Sequence, residues 1–328
     1  MDFIINEAFD LKERMPGKIK NFLLKQELTY CGDSEYTVFL TDYSDRIIGT
    51  GSLSGNVLKY IAIDDDFQGE GIAAAIVSAL LKYAYMQGKK TLFLFTKPKN
   101  EFLFQNLGFF TMAKTESSVY MENSRNGLEK YLSSLKKGTG VQGAITANCN
   151  PFTLGHQYLF EYAAAHCDTL HGFIVSENRS EFPFDVRFKL AKSGTSHIKN
   201  LILHESGEYM LSFSTFPTYF MKKTADASRI NAELDLTLFY SRIAPALGIT
   251  KRFVGTEPYC PVTRAYNESM KAILPAHGIE VVEIERKNGI SASLVREAIE
   301  NKDIETVRKL VPESTFKYIA ENYFKGIL

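Results

Sequence analysis

The chain has 328 residues, 45% of them hydrophobic and 23% charged, the make-up of a globular protein long enough for about two domains. Lys+Arg and Asp+Glu are both 38, and on either side of residue 135 the balance is 15 basic to 17 acidic and then 23 to 21. Neither half is a basic domain, which argues against nucleic-acid binding, and the balanced charge gives no global bias toward anionic membranes. Cys31, Cys149, Cys167 and Cys260 are scattered without a CxxC pair, so neither a zinc nor a disulfide framework is indicated, and a reducing cytoplasm fits. The opening MDFIINEAFDLKER lacks the pattern of a signal peptide, and IAAAIVSALL falls short of the roughly 20 apolar residues that span a bilayer. A cytoplasmic enzyme without membrane or nucleic-acid partners is the default class.

In chain order, YTVFL, RIIGTGSL and NVLKYIAI read as three strands between residues 36 and 63, parted by the turn chemistry of TDYSD and SGN. A helix is expected from Gly71 to Gln87, stopped by Gly88. The strand TLFLF and the helical NEFLFQNLGF follow, giving a small α+β domain over residues 1–132. SSLKKGTGVQG, residues 133–143, is the most linker-like stretch, and a second domain is expected over 144–328. There the strands GAITA, LHGFIVS, NLILH, KRFVG and EVVEI alternate with helical segments such as DVRFKLAKSGTSH and INAELDLTLFYSRIAPAL. Such alternation predicts a doubly wound parallel sheet, Rossmann-like, with helices on both faces. The C-terminal stretch reads as three helices broken at Asp303 and Pro312.

The first strand of the second domain runs into NCNPFTLGHQYL. Ligands of open parallel sheets sit beyond the carboxyl ends of the strands, where strand order reverses. Gly155 near a helix start lets a phosphate approach the backbone, and the helix end offers free N–H groups and a positive dipole end. His156 in the first turn can donate to phosphate oxygens, and Thr153 adds a hydroxyl. Taken alone, TLGH fits a plain helix cap equally well. GISASLVREAI, residues 289–299, supplies Ser291, Ser293 and Arg296 at another helix start, a set able to converge on terminal phosphates.

In this order the two segments resemble the (H/T)xGH and ISxSxxR motifs of the nucleotidyltransferase superfamily. With FPFDVRFKLAKSGT, STFPTYFMKK and VGTEPYCPVTRAYNESM, the resemblance extends to the citrate (pro-3S)-lyase ligase family over essentially all of residues 140–328. Thr153 stands where the wider superfamily has His, as in this family. The resemblance implies an ATP site at Asn150, Pro151, Phe152, Thr153, Gly155, His156, Ser291, Ser293 and Arg296, with Thr153, His156 and Arg296 in the catalytic roles. Arg187 in FPFDVR is either a phosphate ligand or a surface arginine on an amphipathic helix. The implied reaction activates acetate as acetyl-adenylate, releases pyrophosphate, and acetylates the thiol of a modified coenzyme A group on the citrate lyase acyl carrier subunit, releasing AMP. Mg²⁺ is expected to accompany the ATP, without a protein metal site of its own.

In the first domain, Gln68, Gly69, Gly71 and Ala73 stand in the order Q-x-x-G-x-A between a strand and a long helix. Amides of such a turn can cradle a pyrophosphate. The segment resembles the GNAT acetyltransferase signature, which implies a site for a coenzyme-A-like group; no acid or base can be assigned beside it. Asp64, Asp65 and Asp66 read as a solvated turn rather than a metal site. Two other functions stay open: an adenylyltransferase acting on a phosphorylated coenzyme precursor, and a coenzyme-A-dependent N-acetyltransferase with a nucleotide-sensing domain.

Overall fold

The computed structural model describes residues 3–11, 16–176, 180–210, 224–258 and 260–325. STFPTYFMKK, residues 214–223, lies outside the described residues. Contacts group the chain into two compact units: the first runs to Lys130 and, among the described residues, also takes in 224–230, while the second takes over at Tyr131 and again at Asn231. The first boundary falls inside a helix, α4 (Gly127–Ser134), at the edge of the stretch that reads as a linker. Tyr131 belongs to the second unit because its hydroxyl donates to the Glu205 carbonyl at 3.0 Å and its ring stacks on Tyr209 at 4.7 Å.

The first unit is a seven-stranded sheet. Its strands are β1 (Ile4–Phe9), β2 (Tyr36–Thr41), β3 (Ile47–Ser54), β4 (Val57–Ile63), β5 (Phe93–Thr96), β6 (Phe110–Lys114) and β7 (Val119–Glu122), in the order β1-β2-β3-β4-β5-β7-β6. Every neighbouring pair is antiparallel except β4 and β5, which run parallel and pair only at Val57–Phe93 and Leu58–Leu94. A wedge is left where the two strands part. Three helices belong here: α1 (Gly17–Lys25), α2 (Ile72–Met86) and α3 (Glu101–Asn106). Ile72, Ile76, Val77, Leu80 and Ala84 of α2 recur at helical spacing and pack on Val38, Leu53 and Leu94 to form the main core. β1 and the β6–β7 hairpin are short or polar strands that carry little periodicity of their own; pairing to their neighbours makes them strands.

The second unit is the doubly wound parallel sheet that the alternation predicts. Its strands are β8 (Gln142–Ala147), β9 (Thr169–Ile174), β10 (Leu201–Glu205), β11 (Ile249–Gly255) and β12 (Glu280–Ile284), all parallel, in the order β10-β9-β8-β11-β12. The order reverses at β8, so the crevice opens between the carboxyl ends of β8 and β11. The helices are α5 (Leu154–Ala165), α6 (Phe184–Gly194), α7 (Thr224–Leu238), which groups with this unit from Asn231 on, α8 (Ala244–Leu247), α9 (Pro261–Ile273), α10 (Ala292–Glu300), α11 (Ile304–Leu310) and α12 (Glu313–Tyr323), with a π-helical turn, Phe239–Ile243, joining α7 to α8. Ile145, Phe152, Phe160, Leu170, Ile174, Leu190 and Phe253 form its central core. A second cluster, including Phe182, Val295, Ile299, Val307, Phe316 and Ile319, fixes α10 to the C-terminal helices. The Asp303 carboxylate accepts from the Thr306 N–H and starts α11, while Pro312 precedes α12. No helix among the described residues is long and apolar enough to cross a membrane.

Candidate functional site

β8 delivers Asn148 to Phe152 into the crevice, and Thr153 then caps α5. The cap is reciprocal. The Thr153 hydroxyl accepts from the His156 N–H at 3.2 Å, and the Thr153 N–H donates to His156 Nδ1 at 3.1 Å. The hydroxyl also lies 2.9 Å from the same ring nitrogen. Nδ1 therefore serves as an acceptor, and the proton of the neutral ring sits on Nε2. Burial pushes the imidazole down to about 4, with the nearby Arg286 charge adding to the shift, so near pH 7 the ring is an uncharged Nε2–H donor. Thr153 is 1% exposed and its polar atoms are engaged with His156; it orients the histidine instead of facing solvent.

Three expectations change on this geometry. Gly155 was read as making room for a phosphate, yet a Cβ there would meet the Ile290 carbonyl oxygen at 3.0 Å. The missing side chain lets the TLGH turn close on the ISASLVR segment. Phe152 is wholly buried, stacks on His156 at 5.7 Å between ring centres and packs on Gly194, so it supports the histidine ring from below. Arg187 is not a surface residue but fully buried. Its Nε donates to the Phe182 carbonyl at 2.9 Å, and its Nη1 to the carbonyls of Asn148 at 2.7 Å and Val175 at 2.8 Å. Nη1 also reaches the Asn148 side-chain oxygen at 2.7 Å, so these donors brace the carboxyl ends of β8 and β9.

The ISASLVR segment reaches the same place. The Ser291 hydroxyl caps α10 by accepting from the Leu294 N–H at 3.2 Å, while Ser293 is exposed. Arg296 donates through Nη1 to the Asn150 carbonyl at 2.6 Å and through Nη2 to the Ser293 hydroxyl at 3.3 Å. Glu181 lies 3.6 Å from its Nε, and the Arg296 side chain keeps 29% of its surface exposed. Asn150 is fixed in turn, since its side-chain oxygen accepts from the Phe182 N–H at 3.0 Å. Two segments some 140 residues apart in the chain thus meet at the end of β8.

Residues outside both motifs complete the surroundings. Arg286, after β12, pairs with the Glu257 carboxylate and donates through Nε to the Thr256 carbonyl at 2.7 Å. Lys287 sits 5.5 Å from the centre of the Tyr158 ring on α5. Their signal in the chain was position alone: they follow the carboxyl ends of β11 and β12, the side of the sheet where ligands bind.

The first unit holds its own concavity, about 500 Å³ in the wedge between β4 and β5. Gly69, Gly71, Gln68 and Ala73 line it together with Leu58, Lys97 and Leu103. Gly71 has φ 78°, a left-handed conformation that favours glycine, and it opens α2 without any side-chain cap. The first amides of α2 are left for a ligand or water. The Gln68 amide donates to the Asp65 carboxylate at 2.8 Å within the cleft wall. Asp64 and Asp66 pair with Arg46, which makes the triple aspartate an ion-paired turn. Asp65, Lys97 and Lys99 are the titratable side chains among the residues lining the cleft.

An antiparallel-rich α+β unit followed by a doubly wound parallel sheet, with the TLGH and ISASLVR segments meeting at its carboxyl edge, defines a two-domain α/β protein. Residues 10–123 match the acetyltransferase (GNAT) domain model, and residues 142–319 match the model of the citrate lyase ligase C-terminal domain. The citrate (pro-3S)-lyase ligase of Klebsiella pneumoniae is 44% identical over 335 residues, covering 98% of this chain and 97% of that protein. Its counterparts from Escherichia coli strain K12 and Haemophilus influenzae are 40% and 38% identical, covering 96% and 95% of this chain and 94% and 97% of theirs. The chain belongs to the citrate lyase ligase family.

Proposed function

We propose that this protein activates acetate with ATP and transfers the acetyl group to the thiol arm of the citrate lyase acyl carrier subunit. Family membership supports the ligase class. One observation carries the chemistry: Arg296 reaches the Asn150 carbonyl at the end of β8, three residues before the cap that holds His156 as an Nε2–H donor.

Acetate is ionised near neutral pH and needs no base. One of its oxygens forms a bond to the α-phosphorus of ATP, the bond to the bridging oxygen breaks, and pyrophosphate leaves with that electron pair. Charge grows on the departing oxygens, where a neutral but strongly polar donor and a guanidinium stabilise it. The carrier thiol then attacks the acetyl carbonyl, loses its proton, and AMP departs. Positioning is the work of the side chains: Thr153 and Phe152 hold His156, and Asn150 and Ser293 hold Arg296. No group of three or more His, Cys, Asp or Glu among the described residues is arranged to hold a metal ion.

The cleft of the first unit fits the carrier's coenzyme-A-like arm, with its phosphates against the amides that open α2. The test is mass spectrometry of purified carrier subunit incubated with this protein, ATP and acetate. A gain of one acetyl group, dependent on both small substrates, is the expected result. A dinucleotide-like product, or acetyl transfer from acetyl-CoA without ATP, would replace the proposal with one of the other two functions.

A further inference from the structure

The buried Arg187 holds Asn148 at two points with one nitrogen. Nη1 lies 2.7 Å from the Asn148 carbonyl oxygen and 2.7 Å from its side-chain Oδ1. A guanidinium offers only donors, so the carboxamide oxygen must face it and the amide nitrogen Nδ2 is turned away. One Nδ2–H goes to the Ser180 hydroxyl at 3.1 Å, and the other meets no acceptor among the described residues. Asn148 is exposed although its oxygens are held by a fully buried cation. Cys149 next to it takes φ 53°, a left-handed conformation uncommon for a residue with a side chain. A buried charge and a constrained backbone thus fix one carboxamide at the carboxyl edge of the sheet, with an N–H bond to spare.

We infer that Asn148 receives the carboxylate of the acid substrate and that Arg187 is its positioning residue. The inference rests on the reading that acetate attacks the α-phosphorus at this edge, and it adds which side chain orients the acid. Arg187 ties Asn148 to Val175 at the end of β9, the neighbour of β8 on the side away from β11. Arg296 comes instead from α10, which follows β12 at the opposite end of the sheet. An in-line displacement sets the incoming and leaving oxygens on opposite sides of phosphorus. With Arg296 and His156 serving the leaving side, the donor on the β9 side serves the incoming carboxylate. One acetate oxygen accepts from Nδ2 while the other bonds to phosphorus. The guanidinium polarises the carboxamide through Oδ1, which strengthens the N–H at its other end as a donor to an anion.

Asn148→Asp separates this role from a structural one. It keeps the shape and gives the buried Arg187 a carboxylate partner, so a bracing role alone predicts a stable variant with wild-type kinetics. A role in holding acetate predicts the opposite, because an N–H aimed at an anion becomes a negative oxygen. In acetate-dependent ATP–pyrophosphate exchange we expect the KM for acetate raised more than about tenfold and the KM for ATP within about twofold of wild type. Asn148→Ala removes the donor without adding a charge and should raise the KM for acetate less, by about tenfold. A wild-type KM for acetate in Asn148→Asp overturns the assignment. An equal rise for acetate and ATP overturns it as well, since that places Asn148 on the nucleotide. Wild type without acetate-dependent exchange overturns the underlying reading, and this inference with it, before any variant is made.

Discussion

Both units start a helix at their candidate site, but they do so with different materials. In the first unit, α2 begins at a left-handed glycine with no side-chain cap, and the amides themselves are the offering. In the second, α5 begins with a threonine cap whose partner is a histidine held in one tautomer, and an arginine arrives from α10. Amides in a glycine turn bind phosphate and change little during a reaction. Aimed side-chain donors respond to charge that develops on a leaving group. In the proposed reaction the first unit is the holder and the second the place of reaction.

The sharpest way to break that contrast is His156→Ala. Acetate-dependent ATP–pyrophosphate exchange should fall by about 10²–10³, the usual cost of one donor aimed at developing charge. Exchange within a few-fold of wild type in a folded variant removes His156 from the chemistry. Arg296→Lys follows, with a loss of roughly tenfold, because the charge survives while the planar fork does not. Titrations should show weaker binding of ATP and pyrophosphate with AMP nearly unchanged; uniform weakening would refute its place on the distal phosphates.

Gly71→Glu probes the holder. It strains a left-handed position and sets a carboxylate beside the proposed phosphate. Exchange should stay at the wild-type rate while the KM for the carrier rises several-fold. A parallel loss in both half-reactions would merge the two roles that the comparison separates.

The smallest effect concerns pH and separates binding chemistry from packing. His171 and His204 of the second unit are buried and joined, 2.9 Å between Nδ1 and Nε2, with Gln142 2.7 Å from His171 Nε2. Burial holds both imidazoles down at about 4, as it does His156. A histidine with a lowered folded-state value stabilises the fold fully above its ordinary value near 6.5. That contribution is lost as pH falls from there toward 4, because the unfolded chain binds the proton first. Denaturant unfolding at pH 5 should therefore show a loss of about 1–2 kcal/mol for each such histidine relative to pH 7.5. His204→Gln should flatten part of that slope without altering exchange activity at pH 7.5; an unchanged slope would mean the pair titrates normally.

Much of the fold was legible along the chain, because apolar period and turn chemistry act over a few residues. The five parallel strands, the α2 stretch and the breaks at Asp303 and Pro312 are of that kind. β1 and the β6–β7 hairpin were not, since their strand character comes from the neighbours they pair with. The two motifs and the glycine turn stood out because they put residues at helix starts that packing alone does not call for.

What the motif residues do was decided in three dimensions. The order T-L-G-H determines a capped helix start with a histidine in its first turn, for cap geometry is a local matter of three residues. Whether Gly155 faces a phosphate or the Ile290 carbonyl depends on which chain segment folds against it, and no local rule reports that. Arg187 sits on a helix pattern that suits the surface, and acceptors converging on it from Asn148, Val175 and Phe182 make its burial tolerable. Arg286 carries no motif, and Glu257 sits in VGTEPYC with no partner legible along the chain; they matter because the parallel sheet brings the ends of β11 and β12 beside α5. Sequence patterns encode what neighbours along the chain can settle, whereas the partners of a buried charge or a bare glycine come from elsewhere in the chain.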